Sequence, residues 1–175
     1  MCLLLIPVAA GCVVPPPAGS PVPPAAEVLA ADARALAYGR SASEVLENPQ
    51  LRDKVRALFG ADWNPPTPGG AGKLALAAPQ YFEIGGPVRM VRVGTANYIA
   101  ITGCARQACA SHRGLLLIRE DSEELMGRLD DGGFSHHHAY GAGVVGGPGG
   151  STVVLESAVR ALERASDGSP YPPAP

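Results

Sequence analysis

Cys104 and Cys109 stand four residues apart between two apolar runs, Tyr98-Ile-Ala-Ile-Thr102 and Leu115-Leu-Leu-Ile-Arg119. The pattern reads as a strand, a short loop and a second strand. Paired thiols have three common uses. A zinc site needs four ligands, and no second cysteine pair accompanies this one. The spacing is not the Cys-x-x-Cys of thioredoxin-like redox centres. A disulfide clipping the loop remains. The clip encloses Ala105, Arg106, Gln107 and Ala108, with His112 just beyond. A loop fixed before contact loses less entropy on binding, so this device suits recognition of another molecule's cleft more than catalysis.

Other residues that invite chemistry lack its context. In His136-His137-His138 the outer two would share a strand face. The run lies among glycines with only Asp130 and Asp131 nearby, so it reads as a solvated loop with no metal set. Ser111-His112 and Ser135-His136 are neighbours in sequence, which does not supply the base and third orienting group that a hydrolase nucleophile needs. No G-x-S-x-G elbow occurs. The Gly-rich Gly141–Gly150 lacks the Lys-Ser/Thr ending of a phosphate loop. Glu120, Asp121, Glu123 and Glu124 read as a solvated charged turn. The expectation is a binding protein without a cofactor, not an enzyme.

Placement in the cell is written at the start. Leu3-Leu-Leu-Ile-Pro-Val-Ala-Ala-Gly-Cys12 is too short to span a bilayer and ends in small residues. It resembles a bacterial lipoprotein signal, which implies removal of residues 1–11 and lipid on Cys12. No basic residue precedes Leu3. The Pro-rich residues up to Pro24 then form a stiff spacer, so residues 12–24 are lipidated cysteine and linker. Cys2 leaves with the signal, which makes Cys104 and Cys109 an even pair in an exported chain. No Asp follows Cys12, which points to the outer membrane.

The 175 residues suffice for one domain with a real core. A net charge of -2 gives no basic footprint for nucleic acid. The 22 glycines and 18 prolines concentrate at the ends and in linkers, which bounds the domain to residues 25–167 with a disordered tail over 168–175.

Residues 25–40 have a helical pattern. Ser41 or Ser43 caps a short segment around Glu44. Pro49–Phe59 forms a firmer helix with Asn48 as its cap and Gly60 as its stop. Strands follow around Val88–Val93, Tyr98–Thr102, Gly114–Arg119 and Leu125–Leu129. The run Leu115–Ile118 is uninterrupted, as in a strand covered on both faces. Thr152–Leu155 predicts a last strand and Ser157–Ala165 a helix. The sum is an α+β domain: a central antiparallel sheet with helices packed on one face.

These segments resemble the inhibitor of vertebrate lysozyme (Ivy) family of periplasmic bacterial proteins. The likeness runs from the helix before Trp63 through both strands and the Cys104–Cys109 loop to Leu125-Met-Gly-Arg-Leu129, and returns weakly over 149–166. It implies an antiparallel sheet with helices against it, and a disulfide-bound loop that enters a lysozyme's active-site cleft. That family's loop reads Cys-Lys-Pro-His-Asp-Cys. Here Gln107 takes the His position, Ala108 the Asp, Ala105 the Lys and Arg106 the Pro.

The expected function is an envelope lipoprotein that binds a lysozyme or related peptidoglycan-cleaving glycosidase with residues 104–109 and His112. The alternative is an Ivy-like lipoprotein that has lost inhibition and serves another binding or structural role. A second copy of the chain, as a homodimer, is the other partner considered. An imidazole can be cationic between the target's two carboxyl groups, and an amide cannot. A hydrogen bond to a charged group contributes about 1.5–3 kcal/mol against about 0.5–1.5 for a neutral one. Arg106, the one cation within the clip, is placed to restore that charge.

Overall fold

The computed structural model describes residues 23–30, 32–66, 73–141 and 150–166. The expected signal segment, Cys12, nearly all of the linker and the 168–175 tail lie outside the described residues. The core element is a seven-stranded antiparallel sheet. Its strands are β1 (Ala26–Val28), β2 (Ile84–Gly85), β3 (Arg89–Val93), β4 (Ala96–Cys104), β5 (His112–Arg119), β6 (Leu125–Asp131) and β7 (Phe134–Tyr140). They run β1-β3-β4-β5-β6-β7, with β2 paired to the far end of β4.

Strand alternation sorts the core into two layers. Ile99 and Ile101 of β4, Leu116 and Ile118 of β5 and Leu125 and Leu129 of β6 face one side. There they meet α1 (Ala42–Leu46), α2 (Arg52–Phe59) and a 3-10 turn holding Tyr81 and Phe82. Tyr98, Ala100, Leu115, Leu117 and Met126 face the other side and meet Val154, Leu155, Ala158 and Leu162 of α3 (Gly150–Ala165). The α+β sheet is as expected; helices on one face only is corrected. The stripe Val154, Ala158, Leu162 gives α3 its own apolar face, and that face needs the second side of the sheet. The unbroken run Leu115–Ile118 fits such two-sided cover.

The strand expected at Thr152–Leu155 is the first half of α3, where β-branched residues are packed by helical spacing. The helix expected over 25–40 is β1 followed by a 3-10 turn at Ala33–Leu36, capped by Asp32, whose carboxylate accepts the Arg34 N–H. β1 registers Ala26 against Val93 and Val28 against Val91, so edge pairing overrode an Ala-rich pattern. Ser41 caps α1, its Oγ accepting the Glu44 N–H. Helix α2 begins at Arg52, later than Pro49, because Asn48 bonds the Gln50 amide in a preceding turn.

Two glycines let the layers meet. A Cβ on Gly103 would sit 2.5 Å from Phe82 Cα, and one on Gly114 2.6 Å from the Phe82 ring. The registered pair Gly103↔Gly114 thus makes the seat for Phe82, directly below the clipped loop. Glu124 also departs from expectation. It is buried, with Arg119 Nη1 3.3 Å from its Oε2. Burial raises its carboxyl above the usual range, and Arg119 offsets part of that.

Candidate functional site: the clipped loop and its brace

The loop leaves β4 at Cys104 and re-enters the sheet at His112. Cys104 and Cys109 form the expected disulfide, with their Cα atoms 4.8 Å apart. Inside it the backbone turns on itself. The Ala108 N–H donates to the Ala105 carbonyl at 3.0 Å, and the Ala105 N–H to the His112 carbonyl at 2.9 Å. The Ala108 carbonyl accepts both the Ser111 and the His112 N–H. The loop is therefore a hydrogen-bonded knot as well as a covalent ring.

Burial divides the predicted residues. Cys104 and Ala105 are buried at the base, Ala108 and Cys109 are intermediate, and Arg106 and Gln107 are exposed. Among the described residues no acidic side chain pairs with the Arg106 guanidinium. Its backbone N–H donates to Glu83 Oε2 at 3.3 Å, a contact that tethers the tip to the 3-10 turn below. A groove of about 580 Å³ lies there, with Leu76, Gln80 and Glu83 on one wall and Ala105–Ala108 and His112 on the other.

His112, expected among the partner-binding residues, is half-buried in a brace. Its Nε2 lies 2.8 Å from Asp131 Oδ1, and its Nδ1 lies 2.8 Å from Ser111 Oγ. The second Asp131 oxygen accepts the Ala75 N–H at 2.7 Å. The Tyr81 ring packs 5.9 Å from the imidazole. Burial pushes the Tyr81 phenol well above the usual tyrosine range, and the Asp131 carboxylate adds to the shift. Sequence adjacency placed Ser111 beside His112. Asp131 arrives only through the β5–β6 register, in which it is the direct partner of His112. The order Ser–His–Asp is that of a nucleophile relay. Acyl transfer also needs donors aimed at a developing oxyanion, and the Ser111 and His112 amides are both spent on the Ala108 carbonyl. The three side chains hold the loop's return leg to β6.

A second cluster stands one residue along. Asp130 Oδ1 accepts from Arg128 Nε at 2.8 Å and from Ser135 Oγ at 2.7 Å. Arg128 Nη1 reaches Glu156 of α3 at 2.7 Å. This chain ties α3 to the sheet and leaves a shallow cleft of about 320 Å³ between Ala110–Ser111 and Phe134–Ser135.

The histidine run is not the loop that the sequence suggested. It is the centre of β7, with His136↔Leu129, His137↔Arg128 and His138↔Gly127 in register. Its neighbours alternate by face. His138 stands edge-on to Phe59, ring centroids 5.1 Å apart, with Asp62 Oδ2 3.9 Å from its Nε2. His137 turns to α3, with Thr152 Oγ1 3.3 Å from its Nδ1 and Glu156 Oε1 3.8 Å from its Nε2. Burial lowers both imidazoles below the usual histidine range. Among the described residues no three His, Cys, Asp or Glu side chains are grouped to hold a metal ion, and no helix is long and apolar enough to cross a membrane.

The site can thus present one exposed guanidinium and one amide on a bridged loop. A guanidinium offers five N–H donors in a planar fork that matches a carboxylate. The brace is not legible in the local sequence because it exists only through strand register. The register that sets Ile118 against Leu125 carries His112 to Asp131 at the other end of the strand pair. No protein-family model, curated protein or solved structure matches this chain.

Proposed function

We propose that this chain binds a peptidoglycan-cleaving glycosidase, a lysozyme or a related enzyme, by inserting the Cys104–Cys109 loop into its active-site cleft. The observation that carries the reading is the division of the loop. Its base is buried, bridged and hydrogen-bonded, while Arg106 and Gln107 project into solvent. Such a probe loses little entropy on entering a cleft. Its chemistry suits paired carboxyl groups. Arg106 can fork onto an ionised carboxylate, and the Gln107 amide can donate to one group and accept from a protonated one.

The resemblance to the Ivy family supplies the target class. The signal-like residues 1–12 supply the setting: a lipid on Cys12 and a domain held in the envelope facing the periplasm, on the outer membrane. The test is inhibition of a C-type lysozyme and a panel of peptidoglycan-cleaving glycosidases by the purified, oxidised protein. Inhibition that weakens in Arg106→Ala supports the reading, and an unaffected panel removes it.

A second reading, an Ivy-like lipoprotein with another binding or structural role, is favoured by Gln107 and Ala108 at the family's His and Asp positions. Capture of envelope proteins unrelated to glycosidases would favour it.

A further inference from the structure

The β6–β7 hairpin stands beside the clipped loop and carries a feature that the loop does not explain. Its turn is two residues, Gly132 (φ 59°) and Gly133 (φ 105°), a conformation that few side-chain-bearing residues adopt. A Cβ at either glycine would touch nothing within 4 Å, so the tip projects into open space. Phe134 follows at once. It is 76% exposed, against 3% or less for Phe59 and Phe82. Lone exposed apolar residues are ordinary on protein surfaces. This one is mounted on a two-residue turn in fixed register, Phe134 opposite Asp131. The turn is fastened to the loop's return leg, since the Gly132 N–H donates to the Ser111 carbonyl at 3.1 Å. The His112–Asp131 contact clamps the same two segments. Phe134 also shares a cleft with Ala110 and Ser111.

Loop and hairpin are therefore joined by two contacts, and each carries an exposed feature. One is cationic and polar (Arg106, Gln107), and the other is aromatic. A peptidoglycan-cleaving glycosidase offers a matching pair of features: carboxyl groups at the reacting bond, and flanking subsites shaped for the apolar faces of sugar rings. We propose that Phe134 is a second anchor, occupying a sugar-ring subsite beside the target's catalytic carboxyl groups while Arg106 and Gln107 meet those groups. The inference rests on the function proposed above and extends it from a point contact to a two-point one. Buried aromatic anchors carry a disproportionate share of interface energy.

The experiment measures the Kd of the purified full chain, its Phe134→Ser variant and its Arg106→Ala variant for whichever glycosidase of the panel it inhibits. Each is repeated with a soluble N-acetylglucosamine oligomer as competitor. Phe134→Ser is expected to weaken binding about thirtyfold or more, and the oligomer is expected to displace the wild type. Residue 134 is exposed, so its variant keeps the wild-type thermal midpoint, which separates lost contact from lost fold. A Phe134→Ser affinity equal to wild type, with Arg106→Ala impaired, overturns the second anchor and leaves the loop reading standing. Absence of wild-type binding to every glycosidase overturns both.

Discussion

His112 Nε2 lies 2.8 Å from Asp131 Oδ1, and the two residues face each other directly across the β5–β6 pair. That contact joins the loop's exit to the adjacent strand, whose carboxylate is itself held by the Ala75 amide. The loop is therefore braced twice, by a covalent bridge at its neck and by a polar contact at its exit. Removing the acid with Asp131→Ala is expected to cost about 1–2 kcal/mol of local stability. The amides of Ala105 and His112 should then exchange with solvent roughly tenfold faster, as read by hydrogen-exchange mass spectrometry. Asp131→Asn, which keeps an acceptor oxygen, should recover part of the protection.

The disulfide closes a small ring, so its contribution to global stability is modest. Chain-entropy reasoning gives roughly 2 kcal/mol for a loop of this size. The double change Cys104→Ala with Cys109→Ala should lower the thermal midpoint by several degrees and leave the domain folded. Binding should suffer more than stability, since a loosened tip must be reordered on contact. Parallel thermal and affinity measurements separate the two effects.

Gly103 and Gly114 are cross-strand partners that leave room for Phe82. At Gly103 a new Cβ would meet Phe82 Cα at 2.5 Å and the Tyr81 carbonyl at 3.0 Å, both backbone atoms that cannot swing away. Gly103→Ala is expected to destabilise by about 1–3 kcal/mol or more, measured by urea unfolding. Gly114→Ala meets only the Phe82 ring and should cost less.

The β7 histidines set a pH dependence. His137 and His138 are held below the usual histidine range, first by burial; Arg128 pushes His137 the same way, while Asp62 and Glu156 oppose. Their folded pKa values lie beneath the unfolded value of about 6.5. The unfolded chain therefore takes up protons first as pH falls. Stability is unaffected well above pH 6.5 and declines as pH drops below it toward the folded values. Urea midpoints at pH 8 and pH 5.5 should show the decline, and His138→Phe should reduce it.

Much of this architecture is legible in the sequence where side-chain pattern decides structure. The apolar runs ending at Thr102 and starting at Leu115 are strands, and Ser41 and Gly60 are helix punctuation with local physical causes. The errors fall where tertiary partners decide. Ala26–Val28 has too few residues to announce a strand and becomes one by pairing with β3. The histidines of β7 lack the alternation of a half-buried strand because both faces are covered, by α2 on one side and α3 on the other. Thr152–Leu155 carries strand-type residues into a helix whose stripe is set by Val154, Ala158 and Leu162. At the site, the clip and its exposed tip are local and readable. The brace joins residues nineteen positions apart and exists only once the strands are in register.

The most direct measurement is a titration of glycosidase activity with the oxidised protein, repeated after reduction and with Arg106→Ala. A bridged, preorganised loop with a cationic tip predicts stoichiometric inhibition of at least one peptidoglycan-cleaving glycosidase. It also predicts a loss of roughly tenfold or more in affinity for both the reduced protein and the variant. Full activity of every enzyme at saturating oxidised protein, or inhibition indifferent to both the bridge and Arg106, would contradict the account.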